Sequence, residues 1–506
     1  VTLESGKVGE VFLNNNLNDE DMSFWISILL VVYFLVLWGV SYWTSKGADN
    51  QSFFRANQSA PWYVVAFGMI GTSLSGVTFI SVPGTVGVVG WSYFQVVLGF
   101  FIGYFVVAYV LLPLYYRLNL TSIYRYLEYR LGFEAYQWGA GFFILSRTLG
   151  ATVRLFLVIN VLQLFVFDAL NIPFAVTSCI VLLMILVYTF KGGVKTIVWT
   201  DTLQTTFMLL ALVVCVFTLK SLMNNDWSTL IGDMKDGGMF NLWNTDFLHK
   251  KFFLKQVLGG AFITITMTGM DQEMMQKNIS VRSLRDAQKN MIWFASILVL
   301  VNALFLFLGG LLSLYAAQHH LTLAPDNLFP EIVMGQFPQW VSIVFILGLI
   351  SALFPSVDGA ITALTSSFCI DIIGFQRKEL GGEEAKMRIR KVVHLTFAVV
   401  FLILVFVFRA INEKSIIDLL FDIAGYTYGP LLGLFAFGIL TKYQIHSRFV
   451  VWVLLTAPIV SFILDKYATD MLGGYKFGFE LLIVNGALTF LGLWMIRTKE
   501  RFVESR

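Results

Sequence analysis

The chain has 506 residues, of which 57% are hydrophobic and only 13% charged, with a mean hydropathy of +0.74 and a formal net charge of +3. Soluble domains carry about 25% charged residues, so a chain of this composition has lipid as its main solvent. The small net charge excludes neither acidic nor basic partners.

In chain order, residues 1–23 are polar. They have neither an initiator methionine nor the basic stretch and short apolar core of an intact signal peptide. They read as an extracytoplasmic segment, either a processed end or the remainder of a longer region. From 24 to 497 the sequence reads as one membrane domain. Apolar stretches long enough to cross a bilayer fall near 24–44, 62–82, 92–116, 134–166, 172–190, 197–221, 256–276, 288–317, 340–373, 392–411, 415–441, 448–466 and 478–497. We refer to them as spans 1 to 13, an all-α integral membrane architecture of about 13 helices. Residues 498–506 form a short tail. The long connection 222–255 has room for a short helix.

Charge in the connections predicts an orientation. With the N-terminus outside, 83–91, 167–171 and 318–339 face outward and carry no Lys or Arg, whereas the inward loop 374–391 carries six. This is the positive-inside asymmetry. It predicts a multi-pass protein of the inner membrane with a cytoplasmic C-terminus, and it reads the basic loops as orientation signals and not as a nucleic-acid surface. Cys179, Cys215 and Cys369 all lie inside spans, where a cysteine is ordinarily a small packing residue.

Two spans interrupt themselves. Span 2, GMIGTSLSGVTFISVPG (68–84), contains Gly71, Gly76 and Pro83 and the hydroxyls of Thr72, Ser73, Ser75 and Thr78. Span 7, GGAFITITMTGMDQEMMQ (259–276), contains Thr264, Thr266, Thr268, Gly269 and Asp271. Backbone in hydrocarbon must find internal partners, so such spans are costly unless they hold something. Each opens a run of five helices, with halves at about 62–221 and 256–441, and interrupted helices at matching positions point to an inverted-repeat transporter with its site at the midplane. Close packing by small residues is the competing reading. A third unusual stretch, ISALFPSVDGAITALTSS (350–367) in span 9, combines Pro355, Asp358, Gly359 and several hydroxyls.

Charges within spans sharpen the picture, because such groups face a cavity or a partner. Arg147 and Arg154 are seven residues apart and share a helix face. Asp201 and Asp358 are the acidic counterparts. Arg grips a carboxylate through two parallel hydrogen bonds, which favours an anionic substrate. A structural Arg–Asp pair is the alternative.

The stretch YTFKGGVKTIVWTDTLQ (188–204) resembles the signature of the sodium/solute symporter family, and SFFRANQSAPWY (52–63), LTSIYRYLEYRLG (120–132), DQEMMQKNISVRSLRDAQK (271–289), TALTSSFCIDI (362–372) and GPLLGLFAFGILTK (429–442) are similar to that family as well. The resemblance implies the leucine-transporter fold, a 5+5 inverted repeat with one helix before it and two after. It also implies a Na+ site formed by the carbonyls of Gly71, Leu74 and Ala352 and the hydroxyl of Ser356. The family's other serine is replaced here by Pro355, whose ring frees the carbonyl of Ser351. Asp358 stands one turn further on. Asp201 matches an aspartate that supports a second sodium in some members, whose other ligands are span-9 serines; this chain has Asp358 and Gly359 there.

Span 2 most resembles the bacterial sialic acid symporters. That likeness implies substrate contacts from Ser73, Ser75 and Thr78, with Arg154 as the carboxylate anchor. Thr264 in span 7 and Gln95 in span 3 complete the expected substrate set, although the branch's own glutamine position is occupied by Val97. The expected activity is sodium-coupled import of a small organic solute by alternating access, with a carboxylated sugar such as sialic acid favoured. A neutral sugar or other metabolite, or proton coupling, is the alternative. An enzyme is disfavoured because the five histidines lie in loops or near span ends without a nucleophile. A solute sensor would carry an added signalling domain, and a passive channel is separated by the absence of uphill accumulation.

Overall fold

A computed structural model describes residues 19–46, 50–377, 382–411 and 423–502. The polar segment 1–18 and the start of span 11 lie outside the described residues. The architecture is almost wholly helical. Among the described residues, eight helices are long and apolar enough to cross a membrane, and five shorter apolar helices accompany them.

The helices that build the site are α1 (Asp19–Thr44), α2 (Trp62–Ser73), α3 (Gly76–Val89), α4 (Tyr93–Val106), α5 (Phe133–Leu162), α6 (Phe174–Met223), α7 (Phe253–Met267), α8 (Gln272–Asn278), α9 (Leu284–Gln318) and α10 (Gln339–Ser367). They are followed by α11 (Glu383–Ile411), α12 (Gly429–Leu440), α13 (Val450–Met471) and α14 (Leu481–Met495). Span 2 is therefore α2 and α3, and span 7 is α7 and α8. Each is a broken helix, as the interrupted sequences require.

Spans 5 and 6 are both contained in α6, which turns sharply at Gly193 (φ 53°, ψ −144°). A side chain there would be strained by the positive φ and would meet the Phe53 ring at 2.5 Å, so the Gly-Gly pair of the signature marks the turn. The connection 222–255 holds the expected short helix, Trp227–Asp236. One feature has no precedent in the hydropathy pattern. The short strand β1 (Tyr443–Ile445) pairs antiparallel with β2 (Arg497–Arg501), tying the tail to the loop before α13.

The outer surface of the bundle is apolar. Val31, Val32, Leu35 and Trp38 on α1 are exposed, as a lipid-facing side requires. The interior is unusually polar for so hydrophobic a chain. Arg147, Arg154, Asp201, Asp271, Glu273, Lys277 and Asp358 are all buried. Glycines let the backbones close around them. A Cβ at Gly103 of α4 would meet the Ala261 carbonyl at 2.5 Å and the Thr264 Cβ at 2.7 Å. Gly103 thus allows α4 and α7 to touch and sets Thr264 beside the tyrosines of α4.

Candidate functional site

Between the two broken helices, α4 and α5 lies a cavity of about 700 Å3, part of it open to solvent. Five of the six residues expected to meet a substrate line it: Ser73, Ser75, Thr78, Arg154 and Thr264. Gln95 does not. Tyr93, Phe100 and Tyr104 of α4 do line it. At 3.6 residues per turn, Gln95 is rotated about 200° from Tyr93. Its buried amide instead donates to the Ser92 carbonyl at 3.1 Å.

The two arginines of α5 both reach the cavity, but their circumstances differ. Arg147 is ion-paired with Glu273 and lies 3.8 Å from Asp271. Arg154 is 8% exposed and forms no hydrogen bond or ion pair among the described residues, with its Nε buried and unpartnered. A guanidinium within the bilayer costs from about 2.5 to 17 kcal/mol. An acceptor delivered into the cavity would offset part of that.

The break in span 7 is closed by the protein itself. The Tyr115 and Tyr124 hydroxyls donate to the carbonyls of Gly269 and Met270 at 2.7 and 3.0 Å. Asp271 caps α8, accepting from the amides of Glu273 and Met274, and it accepts from the Tyr428 hydroxyl at 2.8 Å.

The break in span 2 is different. Helix α2 ends at Ser73 and α3 begins at Gly76 with no side-chain cap. Among the described residues, no hydrogen bond is donated to the carbonyl of Gly71 or Leu74. Gly71 lies against span 9, where an added Cβ would sit 3.5 Å from the Pro355 ring and 2.5 Å from the Thr205 hydroxyl. Its amide donates to that hydroxyl at 3.1 Å. On α10, Ser356 donates to the Leu353 carbonyl at 2.8 Å, which leaves the oxygen lone pairs available. Helix α10 runs on through Pro355, and no residue-355 amide exists to bond the Ser351 carbonyl. Carbonyls without a donor and a hydroxyl with free lone pairs are the kind of oxygen a hard cation takes, and Gly71 and the Pro355 ring are the point where the two helices are seen to approach.

The chain matches the sodium:solute symporter family over residues 53–446. It belongs to that family. It is 22% identical to the sodium/sialic acid symporter SiaT of Proteus mirabilis over 459 residues, covering 86% of this chain and 88% of that one. It is 27% identical to sodium-coupled monocarboxylate transporter 1 of Mus musculus over 421 residues, 80% of this chain and 67% of the relative. A solved Na+-coupled sialic acid symporter, in a substrate-bound outward-open state, superposes with a TM-score of 0.81 at 19% identity, covering 94% of this chain and 97% of that one. The fold is thus the leucine-transporter fold that the family resemblance implied, in keeping with the inverted repeat that the paired interruptions suggested, and sodium-coupled solute symport is the activity of the family.

The other two acidic residues read from the sequence are both buried in this symporter, with partners from elsewhere in the chain. Asp358 accepts from the Tyr188 hydroxyl at 2.7 Å. Asp201 accepts from the Thr72 hydroxyl at 3.1 Å and from the Lys277 ammonium at 2.6 Å. Lys277 was not singled out by the sequence reading, nor were Glu273 and the aromatic residues of α4. A lysine and a glutamate near the end of an apolar span look like the start of a polar loop. Only the break at 268–271 turns α8 inward and buries them. The aromatic face was discoverable: Tyr93, Phe100 and Tyr104 recur at helical spacing, opposite Gln95.

Proposed function

We propose that this symporter imports a carboxylated sugar, sialic acid or a close chemical relative, driven by sodium entering at the span 2 break. One observation carries the substrate class: Arg154, buried and without a partner among the described residues, in a cavity whose other polar groups are mostly hydroxyls. The guanidinium takes the carboxylate. Ser73, Ser75, Thr78 and Thr264 hydrogen-bond the sugar's hydroxyls, and Tyr93, Phe100 and Tyr104 cover its apolar faces, an arrangement typical of small-molecule pockets. Relatives named for sialic acid and for monocarboxylates support an acidic substrate. Sodium, the co-transported ion, takes Gly71, Leu74, Ala352 and Ser356, with the Ser351 carbonyl beside them. The protein lies in the inner membrane with its N-terminus outside, on the charge asymmetry of its connections.

Coupling follows from adjacency. Leu74 and Ser75 are consecutive residues of the same break, one facing the ion and the other lining the substrate cavity. An ion that fixes the break also fixes the hydroxyls the sugar meets.

The test is uptake into proteoliposomes of sialic acid, lactate and glucose, with and without an inward sodium gradient. Sialic acid should accumulate above equilibrium only with the gradient. Transport of glucose without competition from sialic acid would overturn the substrate assignment. Accumulation driven by a proton gradient alone would overturn sodium coupling.

A further inference from the structure

The position beside Asp201, where the resemblance implies a second sodium in some members, is filled by part of the chain. The Lys277 ammonium lies 2.6 Å from Asp201 Oδ2 and 2.6 Å from the Thr72 hydroxyl. Glu273 Oε1 is 3.7 Å away, one helical turn back on α8, and Asp358 lies within electrostatic range. Lys277 and Asp201 are 3% and 0% exposed. The ammonium arrives there because α8 starts from the Asp271 cap and lies beneath span 2. Gly359 in span 9 admits Glu273, whose Oε1 would be 2.4 Å from any Cβ at that position. On span 9, Pro355 and Gly359 offer no side-chain oxygen.

We propose that Lys277 is a tethered cation that takes the place of a second, mobile sodium at Asp201. The inference builds on the sodium-coupled reading. It adds that coupling in this chain runs through the span 2 break alone, while the Asp201 position is neutralised permanently. A carboxylate already bonded to an ammonium at 2.6 Å holds a second cation poorly, because the two positive charges would sit a few ångströms apart in a site that screens them weakly and would repel each other. An ion pair that served only to fasten α8 to α6 would also be buried and close. The difference lies in what enters when the ammonium is removed.

The experiment is equilibrium binding of 22Na+ to purified, detergent-solubilised protein, without organic solute. Lys277→Gln removes the charge, keeps most of the volume and leaves an amide oxygen for a cation. It should bind one more sodium per molecule than the native chain, and Lys277→Arg should bind the same number as native. An unchanged count in Lys277→Gln overturns the proposal. If that variant does not fold, the charge-neutral pair Asp201→Asn with Lys277→Met replaces it. The pair should bind as many sodium ions as the native chain, and the loss of one would show that Asp201 holds a mobile ion after all. Failure of the parent reading is separate: a native chain that binds no sodium refutes sodium coupling, yet a gain of one in Lys277→Gln still supports the tethered cation.

Discussion

The breaks in spans 2 and 7 occupy matching places in the two halves, yet they are finished in opposite ways. At 268–271 side chains fill the gap, with tyrosine hydroxyls on two carbonyls and the Asp271 carboxylate on two amides. At Leu74 and Ser75 no side chain caps either helix end. Buried backbone polar groups are almost always paired. A break that the protein satisfies is a fixed joint. On the function proposed above, the break without protein partners is the one that takes the sodium ion, whose oxygen preference suits its carbonyls. The two halves then carry matching gaps with different roles.

The largest effect should come from damaging the fixed joint. Asp271→Ala removes the acceptor of two amides and of the Tyr428 hydroxyl, and it takes a carboxylate away from Arg147. Breaking a buried charge network by deleting one partner costs about 3–5 kcal/mol. The variant should lose thermal stability in detergent, measured by fluorescence-detected melting. Wild-type melting with impaired sodium binding would invert the comparison and make span 7 the ion site.

Next in size is Arg154→Lys, which keeps the charge and loses the two-pronged geometry. Affinity for the acid should fall about tenfold or more, since a charge-assisted hydrogen bond contributes about 1.5–3 kcal/mol. The amide of the same sugar should bind the native protein poorly and lose nothing further in the variant. Acid and amide binding the native protein equally would make Arg154 structural. Arg147 is the internal control. Its guanidinium is already held by Glu273 and Asp271, so Arg147→Lys should act on stability more than on the preference for acid over amide.

The contrast between the two breaks also marks what a sequence can disclose. Hydropathy located the apolar segments, and Gly, Ser and Thr within spans 2 and 7 located the interruptions, because both are local patterns. The five cavity-lining positions were legible because each sits on an interrupted helix or is an arginine within a span. Lys277 was not, since its meaning depends on α8 folding inward to meet Asp201, 76 residues away in the chain. The partners that close span 7 are likewise distant, with Tyr115 lying 154 residues from Gly269. Nothing local distinguishes a capped break from an open one. The β1–β2 pair was missed for the same reason, as its strands are three and five residues long and lie at opposite ends of the last two helices.

A smaller effect on the fixed joint is expected from Tyr115→Phe. The ring is fully buried, so the exchange keeps the packing and removes one hydroxyl. It leaves the Gly269 carbonyl without its donor, at a cost of about 1–3 kcal/mol. The melting temperature should fall modestly, and the sodium concentration for half-maximal binding should stay as in the native chain. A shift in sodium affinity larger than the one caused by changes at Ser356 would place the ion near the wrong break.

The smallest effect, and the sharpest test of the open break, is Ser356→Ala. The hydroxyl donates to the Leu353 carbonyl one turn back, a local bond on a helix that stands without it, so thermal stability should barely change. On the proposed reading its oxygen is also a sodium ligand, together with the carbonyls of Gly71 and Leu74. A single neutral ligand among several contributes about 1 kcal/mol, which is roughly a fivefold change in affinity. The half-maximal sodium concentration should therefore rise about fivefold, with maximal binding unchanged. Ser356→Thr, which keeps the oxygen, should restore most of the loss if the added methyl is accommodated. An alanine variant with native sodium affinity would mean that the ion, like the capped break, is held by groups other than those at Leu74, and the asymmetry between the two halves would need another explanation.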